Sequence, residues 1–257
     1  MKLRDSHIVV TGASRGIGSQ LARRLADRGA CVTLVARSEI PLKRLAGELG
    51  GRAVAVDLSI ADELDGLIQR IETEAGPIDA LVHNAAYARA GQFIDRSAEE
   101  ARRHVLTNLL APMELTRQMV PRMIDRDRGN LLMVSSVGGE LSTRNTTCYS
   151  ASKAGLNQFT LNLRRELRRT PITVALAVLS GVDTDMLSEG RQDPLLAAVE
   201  RRLKLLGALD PDAVAAAVVD TLEHDRLTLV MPKVIAPMYH LRQLPNRFAD
   251  LLMARID

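Results

Sequence analysis

Seven short aliphatic, β-branched runs, each separated from the next by a longer connecting stretch, constrain this chain more than any other feature. The runs are His7–Thr11, Ala30–Ala36, Ala53–Asp57, Ile78–His83, Asn130–Ser135, Ile172–Leu179 and Leu227–Met231. Helical patterns fill Gly16–Arg28, Ile60–Ala75 and the stretches near 99–127, 147–169 and 211–223. Strands this apolar are expected to be buried on both faces, as strands of a parallel sheet are. The alternation predicts an α/β fold, a doubly wound parallel sheet of about seven strands flanked by helices on both faces. Pro112 and Pro121 fall inside the 99–127 helix, so a bent or broken element is expected there. No repeat or linker interrupts the pattern, and residues 1–257 read as one domain. Residues 185–210 follow the sixth strand without strand character. Segments leaving the carboxyl ends of such strands line the ligand crevice, which makes this stretch a candidate substrate lid.

Composition narrows the function classes. With aromatics at 2% and no Trp, the core must be aliphatic. Cys31 and Cys148 cannot form a disulfide framework, and no secretory signal is visible, so a reducing cytoplasm is expected. No apolar run approaches the ~18–20 residues that span a bilayer. The arginine pairs Arg102/Arg103, Arg164/Arg165, Arg168/Arg169 and Arg201/Arg202 read as solvated helix faces on a chain of net charge +3. Without interleaved aromatics they do not suggest nucleic acid. His104, His224 and His240 lack metal-ligand spacing, and no metal is expected.

The first strand runs into Thr11-Gly12-Ala13-Ser14-Arg15-Gly16-Ile17-Gly18 and then a helix. Glycines at 12, 16 and 18 permit a tight turn and close backbone approach to a pyrophosphate, which the helix N-terminus attracts. A glycine trio alone is weak; its place between a first strand and a first helix is the confirming context. At the end of the second strand, Val35-Ala36-Arg37-Ser38 puts Ala36 where an acid would hold a ribose 2′-hydroxyl. Arg37, with Arg15 from the glycine loop, suits a 2′-phosphate instead, so NADP(H) is expected over NAD(H). Glu39 reads as the start of the next helix. Asp57, followed by Leu58, ends the third strand and can accept a hydrogen bond from an adenine amine. Asn84-Ala85-Ala86 follows the fourth strand, where small residues leave room for a ribose; Asn84 reads equally as a structural tie between strands.

Tyr149 and Lys153 stand four apart in a helical stretch, on one face. A nearby ammonium, and a bound oxidised nicotinamide, would favour the phenolate, so that the tyrosine could serve as acid/base at a carbonyl or alcohol. Ser136, just beyond the fifth strand, is placed to polarise the substrate oxygen, with Ser135 as competitor. Asn108, polar among apolar neighbours, could hold a water that relays protons to Lys153. Cys148 reads as packing.

Taken in order, Thr11–Gly18, Asp57-Leu58, Asn84-Ala85-Ala86, Asn108, Ser136 and Tyr149–Lys153 resemble the single-domain short-chain dehydrogenase/reductase family over roughly residues 5–235. The resemblance implies a Rossmann-type fold, an Asn108-Ser136-Tyr149-Lys153 tetrad, and binding of the nicotinamide ribose by Lys153. It also implies contact of Val182 and Thr184, within Ser180-Gly181-Val182-Asp183-Thr184, with the nicotinamide amide. A homodimer or homotetramer through the helices holding Asn108 and Tyr149 is implied as well. Two departures stand out: His83-Asn84-Ala85-Ala86 in place of Asn-Asn-Ala-Gly, with Tyr87 next, and Ser180 in place of a proline. The C-terminal extension, about 232–257, is similar to that of lipid- and steroid-type relatives. Its Leu244, Phe248, Leu251 and Leu252 suggest a substrate cover, a dimer element or a peripheral membrane-surface helix. Aliphatic lid residues (Leu195, Leu196, Leu203, Leu205, Leu206) favour an apolar, lipid-like, 3-oxoacyl or steroid-like carbonyl or secondary alcohol as substrate. The competing expectation is a catalytically silent NADP(H) sensor, against which the complete Asn/Ser/Tyr/Lys set argues.

Overall fold

Along strand β1 (His7–Thr11), Ile8 and Val10 face one side of the sheet and Val9 the other, and all three are buried. That double burial is repeated across most of the sheet in the computed structural model, which describes residues 1–194, 197–198 and 207–244. The remaining strands are β2 (Cys31–Ala36), β3 (Arg52–Ala55), β4 (Ala80–His83), β5 (Gly129–Ser136), β6 (Ile172–Leu179) and β7 (Thr228–Met231). All pair in parallel, in the order β3-β2-β1-β4-β5-β6-β7. The order reverses between β1 and β4, and the crevice at the carboxyl ends of these two strands is where such sheets bind ligands.

Helices cover both faces. On one, α1 (Gly16–Asp27), α2 (Glu39–Leu49) and α9 (Pro211–Glu223) bury Leu21, Leu25, Leu42, Val214 and Val218 against Ile8, Val10 and Val82. On the other, α4 (Leu67–Ala75), α6 (Ala111–Asp125) and α7 (Thr147–Glu166) bury Ile68, Ile71, Leu115, Met119 and Leu156 against Val9, Leu81 and Met133. The short helices α3 (Ala61–Leu64), α5 (Ala98–Val105), α8 (Asp185–Gly190) and α10 (Ala236–Arg242) complete the described set.

Two expectations need correction. Strand β3 is not buried on both faces: Arg52 and Ala55 are exposed, because an edge strand has one neighbour only. The helix expected over Ile60–Ala75 is two, α3 and α4, separated at Gly66, whose φ of 62° is left-handed. The element near 99–127 is broken, as expected: Leu106–Leu110 forms a π turn between α5 and α6. Pro121 leaves α6 continuous. Pro112, in the first turn of α6, has no N–H to offer the carbonyl of Asn108 four residues back, and the ladder widens at that point.

The lid residues Leu195, Leu196, Leu203, Leu205 and Leu206, the pair Arg201/Arg202, and the tail residues Phe248, Leu251 and Leu252 lie outside the described residues. Among the described residues, no helix is long and apolar enough to cross a membrane, and no cluster of His, Cys, Asp and Glu is suited to a metal ion.

Candidate active site

The glycine loop is locked onto the end of β4. A Cβ on Gly12 would stand 2.7 Å from the Cα of Ala85, and one on Gly18 would collide with the Gly12 carbonyl and the Asn84 amide. Asn84 donates through Nδ2 to the carbonyls of Thr11 (2.9 Å) and Gly12 (3.2 Å). The Thr11 hydroxyl accepts from the backbone N–H groups of Asn84 and Ala85, both at 3.0 Å. Asn84 is thus the structural tie weighed from the sequence, joining β1 to β4. Helix α1 opens at Gly16 with no side-chain cap on its first amides and no acid in its first turn. Uncapped N–H groups at the positive end of a helix dipole fit an anionic pyrophosphate.

At the adenosine end, the two oxygens of Asp57 are in different states. Oδ1 accepts from the backbone N–H (2.9 Å) and hydroxyl (2.7 Å) of Ser59. Oδ2 faces Arg37 at 3.7 Å and Arg103 at 3.5 Å, beyond close hydrogen-bond range. It retains acceptor capacity for an amine such as that of adenine. Ser38 is the N-cap of α2, and Glu39 lies inside that helix, paired with Lys43 at 2.6 Å. Leu58 is buried in the core. Arg103, read from the sequence as a solvated face, instead lies 5.0 Å over the Tyr87 ring while reaching Asp57. Nothing in the spacing of the motifs pointed to it.

Arg15 and Arg37 have different acidic partners. Arg15 pairs with Asp185 at 3.0 Å and approaches Glu189 at 3.9 Å, both on α8. The phosphate loop and the start of the lid therefore touch, as the closeness of Gly16 to the Thr184 methyl also shows. Thr184 is the N-cap residue of α8, and its hydroxyl donates to the Val182 carbonyl. Val182 is buried and forms a parallel bridge with Leu209.

Strand β5 and helix α7 bring Ser136, Tyr149 and Lys153 together. The Ser136 hydroxyl lies beside the Tyr149 phenol and favours its charged form. Ser136 Oγ accepts from the Gly138 N–H at 3.0 Å. Ser135, one residue earlier and so on the opposite face of β5, is buried with an unpartnered hydroxyl. The geometry thus separates the two serines. Lys153 is buried, and its Nζ donates to the Val134 carbonyl at 2.9 Å. Burial pulls its pKa from 10.5 down to about 8. Tyr149 remains half-exposed as a residue, yet burial of its hydroxyl pushes the phenol up, and the neighbouring Ser136 hydroxyl only partly opposes this. The phenol is raised, not lowered as expected. The physical reason is that Lys153 is committed to a main-chain carbonyl and desolvation dominates.

Asn108 is fully buried in the π turn. Its Oδ1 accepts from the Tyr87 N–H (2.7 Å), and its Nδ2 donates to the Tyr87 carbonyl (2.9 Å) and to Ser152 Oγ (3.0 Å). Both amide protons are therefore taken by protein partners, while Oδ1 has one bond made and one acceptor position left. His83, where an asparagine was expected, is buried against the Thr116 hydroxyl at 3.1 Å.

Comparison with known proteins places this geometry among relatives. The short chain dehydrogenase family model matches residues 6–195. The ketoacyl reductase HetN of Nostoc sp. is 34% identical, over 87% of this chain and 77% of its own. The 3-oxoacyl-acyl-carrier-protein reductase FabG of Escherichia coli is 33% identical, over 74% of this chain and 80% of its own. Among solved structures, a short-chain dehydrogenase from Sphingobium yanoikuyae in complex with NADPH superposes with a TM-score of 0.83 at 25% identity, covering 95% of this chain and 94% of that one.

Proposed function

The chain belongs to the short-chain dehydrogenase family, oxidoreductases that bind a nicotinamide cofactor, and from that premise we propose that it is an NADP(H)-dependent reductase of apolar carbonyls or oxidant of the matching secondary alcohols. The observation that carries the reading is Ser136 beside the Tyr149 phenol, with Lys153 buried one helical turn away. A sensor has no need of a phenol aligned by a second hydroxyl.

The residues present fit such a cofactor. Gly12, Ser14, Gly16, Ile17, Gly18 and the open start of α1 would take the pyrophosphate. Asp57 Oδ2 and the backbone at Leu58 would take the adenine, and Asn84, Ala85 and Ala86 would flank the ribose. Arg37, Ser38 and Arg15 would face a 2′-phosphate. Backbone at Val182 and the Thr184 hydroxyl would meet the nicotinamide amide, and Tyr149 and Lys153 its ribose. When bound, the nicotinamide supplies or receives the hydride.

The remaining chemistry belongs to the chain. Ser136 donates to the substrate oxygen and polarises it. Tyr149 delivers the proton to that oxygen as negative charge develops there, or removes it in the reverse direction. Lys153 supplies cationic field to the phenol and a path for proton return. Both Asn108 amide protons are taken, so the water of that path is assigned to an Asn108 carbonyl oxygen, the main-chain one being left by Pro112 without its helical donor.

Substrate class rests on relatives and composition. The HetN and FabG names point to 3-oxoacyl chemistry, and Leu141, Met238, Leu241 and Leu244 are exposed apolar residues. We read residues 1–257 as one catalytic unit of a cytoplasmic protein. Exposed Val105, Leu110 and Met113 near α5 and α6 support a homodimer or homotetramer through that face.

The test is initial-rate turnover with NADPH or NADH against a panel of 3-oxoacyl thioesters, steroid-like ketones and polyols. The reading expects NADPH to be preferred, the apolar carbonyls to turn over, and Tyr149→Phe to be inactive while still binding NADPH. NADH supporting turnover at least as well, with Arg37→Ala leaving the preference unchanged, would overturn the cofactor assignment.

A further inference from the structure

Beyond β5 the chain makes a tight loop, Ser136–Glu140, that touches every part of the Tyr149 site. A Cβ on Gly138 would stand 3.3 Å from Tyr149 Cε1 and 3.4 Å from Ser136 Oγ. One on Gly139 would lie 2.8 Å from the Asn157 amide and from the Lys153 main-chain carbon. The loop is thus wedged against the face of α7 that carries Tyr149 and Lys153. At its far end sits Glu140, a carboxylate only 8% exposed. Its Oε1 accepts from Asn157 Nδ2 of α7 at 2.8 Å. Its Oε2 forms an ion pair with Arg242 Nε of α10 at 3.1 Å. Helix α10 is seated from the same side by Tyr239, itself buried. One buried carboxylate therefore fastens the loop to the catalytic helix and to the C-terminal helix together.

Almost no charge is buried in folded proteins without a partner, and a buried carboxylate is costly when one partner is removed. Asn157 has little room to adapt: its Oδ1 is already buried without a hydrogen bond, so Glu140 is its remaining side-chain anchor. If Arg242 leaves, Glu140 must reach solvent, and the loop behind Ser136 and Tyr149 moves with it.

We propose that Glu140 is a positioning residue for the Ser136–Tyr149 pair, and that docking of α10 through Arg242 is required for full alignment of that pair. The inference rests on the reading of Tyr149 as proton donor. It makes the C-terminal helix a working part of the catalytic site and not an appended cover.

The experiment uses Arg242→Ala, Glu140→Gln and the double variant of the full chain. Gln keeps the shape of residue 140 and an acceptor for Asn157, so it guards against simple unfolding. Two readouts are taken. The first is kcat and NADPH affinity with the best carbonyl of the panel. The second is the ¹³Cζ NMR signal of Tyr149, resolvable because the chain holds three tyrosines, with Tyr87→Phe and Tyr239→Phe giving assignments. The expected result is a fall in kcat of about three- to tenfold in each single variant, with NADPH affinity within about twofold. The double variant should be no slower than the slower single, as for one shared interaction. The Tyr149 signal should shift in all three, and that of Tyr87 should not. Wild-type kcat with an unmoved Tyr149 signal, or losses that multiply, overturns the proposal. If the wild type turns over no carbonyl, the functional reading fails, while the Tyr149 signal still decides the coupling.

Discussion

The ammonium of Lys153 is bound to the main-chain carbonyl of Val134, 2.9 Å away, on the strand that delivers Ser136. Among the described residues no carboxylate offsets this cation, and burial lowers it to about 8. A lysine whose folded pKa is depressed costs stability wherever it is charged in both states, below about pH 8. The cost is relieved as pH rises from there toward the unfolded value of 10.5. Lys153→Met should therefore be inactive but more stable at pH 7, by about 1–3 kcal/mol, or a Tm rise of about 2–6 °C. The gain should shrink between pH 8 and 10. Thermal unfolding across that range checks it; a variant less stable at every pH contradicts it.

His83 should dominate one part of the acid limb. Burial holds it to about 3, against 6.5 when free. The unfolded chain takes up this proton first, so stability is present above pH 6.5 and is lost as pH falls toward 3, by an amount of the order of 4 kcal/mol. His83→Gln should flatten that slope in urea melts taken from pH 7 to 4. An unchanged slope would place the acid sensitivity elsewhere.

Seven strands, their parallel pairing and the glycine loop were legible because burial on both faces writes continuous apolar runs, and a strand-to-helix turn needs glycine. The catalytic set was legible as residue types at the ends of elements. Strand register was not, so Ser135 and Ser136 could be told apart only once β5 was placed beside α7. Long side chains were hardest. Arg103 looked like a solvated face and lies between Asp57 and Tyr87, and Arg15 looked like a partner of Arg37 and is held by α8. The reach of an arginine exceeds the spacing rules that locate helices and strands, and its partner is chosen by tertiary packing.

The carboxylates on Arg15 compete with any 2′-phosphate for the same guanidinium. Asp185→Asn with Glu189→Gln should tighten binding of 2′,5′-ADP by about two- to fivefold at low salt and less at 0.5 M, since the pairs are exposed and screened. Arg37→Ala should weaken the same ligand about tenfold while changing AMP affinity little. Calorimetric titration of both ligands checks this. Equal losses for the two would remove Arg37 from 2′-phosphate recognition.

Asn108 meets three protein partners with no exposed atom to relax into water. Asn108→Ala should leave the Tyr87 N–H and carbonyl unpaired and cost about 2–4 kcal/mol in chemical denaturation. A loss under about 0.5 kcal/mol would mean the π turn re-forms its bonds without the amide.

The most direct measurement of the central claim follows a deuterium atom. NADPH labelled at the transferable position of C4 is incubated with the wild type and with Tyr149→Phe, and the alcohol formed from each carbonyl of the panel is weighed by mass spectrometry. The wild type is predicted to yield alcohol carrying one deuterium at the former carbonyl carbon, and the variant, saturated with the same cofactor, to yield none. Alcohol without deuterium, or equal labelling by both proteins, would contradict proton delivery by Tyr149 to a carbonyl reduced at this site.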